Sequence, residues 1–144
     1  IVHIPGGMPP RACLGYSLTQ LFFILNAFSI IGDSFKKKLA DTVALLKSEK
    51  TAIITEAKAI TEKIATKIPV IYATTFNEGI AIRFRQQLNE NSKILCWHHV
   101  IPEMNHNEIV GFEGKPKDLT EIFLEGNTKD TRSKSISEVT AGLI

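Results

Sequence analysis

The sequence predicts an α/β fold in which a parallel sheet is flanked by helices. Three observations predict it. A long stretch, roughly residues 35–66, repeats its apolar residues every three or four positions, which is the period of a helix. Val70-Ile71-Tyr72-Ala73-Thr74 is a short apolar, β-rich run behind Pro69, which reads as a buried strand. After it the chain alternates helical and strand-like segments, the order that builds strand–crossover–strand units. With 144 residues, 44% of them hydrophobic and 22% charged, the chain is long enough for one domain with a real core.

Taken in order, Pro5-Gly6-Gly7-Met8-Pro9-Pro10 is an irregular connector, because its prolines and glycines exclude regular structure. Arg11 ends it. Cys13 to Ile31 is almost wholly apolar and near the length of a membrane span. Ser17, Thr19, Gln20, Asn26 and Ser29 interrupt it, so the expectation is a helix buried on most sides or set at a subunit interface, with no membrane partner. Asp33 or Ser34 is placed to cap the next helix, in which Phe35, Leu39, Val43, Leu46, Ile53, Ala57, Ile60 and Ile64 form the apolar face. A break near Ser48 to Thr51 fits its length. The strand at 70–74 leads to a helix over Gly79 to Leu88. Ile94-Leu95-Cys96-Trp97 and Ile122-Phe123-Leu124 read as further strands. Residues 126–135 are polar and read as a loop, and Ile136 to Ile144 starts another helix. An α/β domain normally continues into a further strand, so the expectation is a domain incomplete at its C-terminus. The opening Ile1-Val2-His3-Ile4 has no Met start and no basic leader, and reads like the middle of a longer protein.

The net charge of +2 gives no basic stripe, so nucleic acid is not an expected partner. Cys13 and Cys96 lie far apart with no CxxC spacing, and read as buried thiols of a reducing, cytoplasmic compartment.

Two polar clusters are candidates for chemistry. Glu90 sits between two asparagines in Gln87-Leu88-Asn89-Glu90-Asn91, and His106 lies sixteen residues on, in Asn105-His106-Asn107-Glu108. A carboxylate base and an imidazole acid/base are the groups needed to move a proton between neighbouring carbons of a sugar. The plainer reading of Asn89-Glu90-Asn91 is a polar helix C-cap, with Asn supplying a left-handed turn. The plainer reading of His106 is a surface or structural residue. Arg11, pinned between prolines and an apolar helix, is either a surface charge or a group placed to stabilise an oxyanion or phosphate. His98, His99 and His106 match no strong metal spacing, and His3 reads as incidental. No GxGxxG or GxxxxGK[ST] is present to hold a nucleotide.

Together these residues resemble the bifunctional phosphoglucose/phosphomannose isomerases, a family built from two sugar-isomerase (SIS) domains. The matching stretches run in order: Pro9-Pro10-Arg11-Ala12-Cys13-Leu14-Gly15-Tyr16-Ser17, Ile68-Pro69-Val70-Ile71-Tyr72, Gln87 to Lys93, and Pro102 to Phe112. The Asn-Glu-Asn and Asn-His-Asn-Glu segments are the specific parts. The resemblance implies an SIS-type three-layer sandwich, with residues 1–12 as inter-domain linker and 13–144 as the C-terminal SIS domain. It implies that Glu90 is the base shuttling a proton between C1 and C2, that His106 assists ring opening, and that Arg11 stabilises the enediolate. Asn89, Asn91 and Arg11 would contact the substrate, a hexose 6-phosphate, with no metal and no other cofactor. It also implies a homodimer whose active sites draw on both subunits. The family's phosphate-binding hydroxyls belong to the first SIS domain and its catalytic lysine lies beyond Ile144, so this chain alone is expected to be inactive. SIS domains also serve as sugar-phosphate-binding modules without catalysis, which is the alternative reading.

Overall fold

A computed structural model describes residues 2–126 and 131–144 of the chain. They form two units, Ile1–Ala59 and Ile60–Ile144.

The first unit is helical. A single 3-10 turn, Pro10–Ala12, leads into α1, Leu14–Ala27. α2 spans Ser34–Ser48 and α3 spans Lys50–Ile64, so the long amphipathic stretch is broken at Glu49, inside the expected window. Asp33 stands at the N-cap of α2 but makes no side-chain cap bond. It pairs instead with Lys36 at 2.6 Å, and that ammonium lowers the carboxyl's pKa. Phe35 is the buried anchor of this unit, with the rings of Phe22 and Phe23 centred 5.8 and 5.2 Å away. Leu18, Phe22, Phe35 and Leu39 line an apolar groove of about 430 Å³ along α1 and α2.

Of the two expectations for the Cys13–Ile31 segment, burial on most sides within the chain is not what the structure shows. Cys13 is buried, but no residue of α1 is, and Leu14, Leu18, Leu21 and Phe23 are 42–49% exposed. A helix apolar on nearly every side needs neighbours on nearly every side. Within its unit α1 buries a single ring-packed stripe against Phe35. Among the described residues no helix is long and apolar enough to cross a membrane.

The second unit carries the sheet. β1 is Ile68–Thr74, β2 is Trp97–Ile101 and β3 is Leu119–Leu124, in the order β2-β1-β3 with both pairings parallel. Central β1 is buried from Pro69 through Ala73, as a strand covered on both faces must be. Successive side chains point to opposite faces. Ile71 and Ala73 face α4, Glu78–Gln87, and pack with Ala81, Phe84, Leu88 and Cys96. Val70 and Tyr72 face the other way and pack with Ile101, Met104, Phe123 and Ile136. That side holds α5, Glu108–Gly111, and α6, Thr131–Leu143. The result is the three-layer, SIS-type α/β arrangement, with helices over both faces of a parallel sheet.

Boundaries differ in several places; β1 begins at Ile68 and β3 at Leu119, two and three residues before the apolar runs that signal them. The sequence pattern puts the second strand at Ile94–Trp97, but it lies at Trp97–Ile101, its register with β1 opening at Val70↔Trp97. The apolar Ile94-Leu95-Cys96 approaches the sheet without joining it. The strand itself contains His98 and His99, whose polarity masks it in the sequence. The polar loop expected at 126–135 falls partly on residues 127–130, outside the described residues, and α6 begins by Thr131.

Candidate active site

Glu90 lies on a π-helical turn, Leu88–Ser92, that continues directly from α4. Widening the last turn in this way is uncommon and is frequent at functional positions. The turn is closed by Lys93 in the left-handed region, φ 58°, so lysine rather than an asparagine supplies the left-handed residue of the expected cap. Lys93 Nζ donates to the Glu90 carbonyl at 2.7 Å, which offsets the cost of that conformation by satisfying an orphan helix carbonyl. The Asn91 amide donates to Gln87 Oε1 one turn back. Asn89, Glu90 and Asn91 are all exposed.

His106 follows a short 3-10 turn, Glu103–Asn105, at the carboxyl end of β2. Its side chain is exposed, while the residues around it are held. Met104 is fully buried. Asn105 Nδ2 donates to Thr140 Oγ1 at 2.9 Å, and that hydroxyl in turn donates to the Ile136 carbonyl at 2.8 Å. Glu108 opens α5. The Tyr72 hydroxyl donates to its Oε1 at 2.6 Å, and its Oε2 pairs with His99 Nδ1. Burial first, and then the Glu108 carboxylate, raise the Tyr72 pKa far above that of an ordinary phenol, so Tyr72 stays a neutral donor.

Glu90 precedes the first residue of β2 and His106 comes after its last, so the strand stands between them, roughly 13 Å of extended chain. Arg11 belongs to the first unit, on the 3-10 turn Pro10–Ala12. Among the described residues no cluster of His, Cys, Asp and Glu is arranged to hold a metal ion.

Sequence reasoning missed the Tyr72–Glu108–His99 triad and the Asn105–Thr140 pair. Tyr72 reads as one more apolar strand residue, and Thr140 as part of an undistinguished C-terminal helix. The register Tyr72↔His99 is what puts two polar groups beside each other on one face, and register is not visible in a single strand. The one available signal was Glu108, a carboxylate two residues after His106. At the same end of the sheet, buried Asn77 comes after β1 and closes on Gly126 beyond β3. A Cβ at Gly126 would lie 2.8 Å from Asn77 Nδ2, so only glycine fits there without a shift.

Residues 53–144 match the family model described as the bacterial phospho-glucose isomerase C-terminal SIS domain. The chain belongs to that family. This SIS domain is also similar to curated proteins. The bifunctional phosphoglucose/phosphomannose isomerase of Caldicellulosiruptor bescii is 37% identical over 100% of this chain and 45% of its own length. The protein of that name from Aquifex aeolicus is 35% identical over 78% of this chain and 33% of its own. The D-glucosamine-6-phosphate 4-epimerase of Sulfolobus acidocaldarius is 32% identical over 76% of this chain and 34% of its own. The chain thus spans less than half the length of these relatives. No solved structure matches it.

Proposed function

We propose that this chain is the second SIS domain, with its linker at 1–12 and the domain at 13–144, of a cytoplasmic aldose–ketose isomerase. The enzyme interconverts glucose 6-phosphate or mannose 6-phosphate with fructose 6-phosphate. The observation that carries the reading is the membership of residues 53–144 in the phosphoglucose isomerase SIS family. In this reading Glu90 takes the proton from one sugar carbon and returns it to the next. The carbon acid is weak, so the developing negative oxygen needs a cation, and Arg11 supplies it. Asn89 and Asn91 hold substrate hydroxyls, since an amide both donates and accepts without competing for the base's proton. His106 serves ring opening.

In this reading the enzyme is a homodimer whose active sites draw on both subunits. In the same reading the family's phosphate-binding hydroxyls belong to the first SIS domain, so residues 1–144 alone would not turn over substrate. The test is Glu90→Gln in the natural gene product that carries this sequence, assayed by coupled conversion of fructose 6-phosphate. Loss of a positioned general base costs on the order of 10²–10⁴-fold. Turnover at the unaltered rate would remove Glu90 from the reaction.

The 32% identity to the D-glucosamine-6-phosphate 4-epimerase favours a second reading, an epimerase of amino-sugar phosphates. Product analysis separates the two, because only the isomerase converts an aldose phosphate into fructose 6-phosphate. A non-catalytic module would bind the sugar phosphate and return it unchanged.

A further inference from the structure

His106 projects from a segment whose neighbours are fastened on both sides. Upstream, Met104 is sealed in the core and Asn105 is tied to Thr140 on α6. Downstream, both oxygens of Glu108 are engaged, Oε1 by the Tyr72 hydroxyl at 2.6 Å and Oε2 by His99 Nδ1. Tyr72 and His99 are register partners on adjacent strands, so the carboxylate is gripped from two directions by a rigid ladder.

The hydroxyl of buried Tyr72 needs an acceptor, and Glu108 supplies it. The Glu108 side chain is 34% exposed, so its carboxylate is only partly desolvated. What the carboxylate adds is direction. α5 has four residues, too few to hold its own geometry, and Glu108 is its first. Fixing Glu108 therefore fixes the path of the backbone that leaves His106.

We propose that Glu108 is a positioning residue for His106, its carboxylate locked by Tyr72 and His99 so that the exposed imidazole is presented in one place. The role in turnover rests on the isomerase reading above.

The test uses Glu108→Gln in the natural gene product, which keeps the size and weakens the grip. The expected result is a fall in kcat on the order of 10- to 100-fold with KM little changed. The same substitution made in a His106→Ala background should cost nothing more, because a residue that acts through His106 has nothing left to act on. Additive losses would overturn the proposal and mark Glu108 as structural only. Hydrogen exchange over residues 103–109 supplies a readout independent of turnover. The segment should lose protection in Glu108→Gln while β1 keeps its own, and unchanged protection would overturn the proposal. If wild type shows no isomerisation, or His106→Ala retains full turnover, the isomerase reading fails, and the exchange result still decides the positioning claim. Should Glu108→Gln not fold, Tyr72→Phe removes one arm of the grip while preserving the ring, and the same outcomes apply.

Discussion

At the scale of single residues, His98 shows how this sheet handles a titratable group. It sits on β2 and its ring nitrogen Nδ1 is buried without a partner. Burial first, then the Arg85 guanidinium, lowers its pKa from the ordinary histidine value, with a smaller push in the same direction from His99 and an opposing pull from Glu78. A histidine whose folded pKa is depressed binds its proton more readily when unfolded. As pH falls through about 6.5, the unfolded chain protonates first and stability drops. Above that window the group is neutral in both states and contributes no slope. Denaturant titrations between pH 7.5 and 5 should therefore show stability falling with acid in the wild type and falling less in His98→Gln. Equal slopes would show that the acid sensitivity arises elsewhere.

At the scale of elements, the second unit stands on β1. Its two faces feed two separate clusters, and Met104 closes the one that holds Tyr72 and Ile101. Met104 has no exposed surface, so Met104→Ala leaves a cavity beneath the turn that carries His106. The expected loss is about 2–5 kcal/mol of unfolding free energy, measured by denaturant unfolding. A loss below about 1 kcal/mol would mean that the turn collapses into the space.

The same scale shows what a single sequence reveals. β1, α4 and the α2–α3 break are legible because burial on both faces, a 3.6-residue period and a length limit each leave a mark on the residues themselves. β2 is misread by three residues at its start because the apolar run Ile94-Leu95-Cys96 stops where pairing starts. His99 is accommodated by a cross-layer partner, Glu108, that no local pattern encodes. The candidate site divides the same way. Glu90 and His106 stand out as polar groups in polar clusters, whereas the residues that hold the His106 loop are dispersed from position 72 to position 140.

For the whole molecule, topology rather than side-chain chemistry sets the main requirement. The segments that enter and leave a strand lie at opposite edges of the sheet, a strand's length apart. Glu90 and His106 flank β2, and in the proposed homodimer a two-fold axis would make two shared sites at once. The apolar surface left on α1, with Leu14, Leu21 and Phe23 nearly half exposed, accords with a chain that has further surfaces to cover.

The most direct measurement is complementation between two inactive variants. Glu90→Gln and His106→Ala forms of the natural gene product, each greatly weakened alone, are unfolded together, refolded as a mixture and assayed for fructose 6-phosphate isomerisation. If each site draws its carboxylate from one copy and its imidazole from the other, a mixed dimer holds one intact site. Random pairing then restores roughly one quarter of wild-type activity. Activity no higher than that of the two variants assayed separately would place both residues in sites built from a single copy, and would contradict the account.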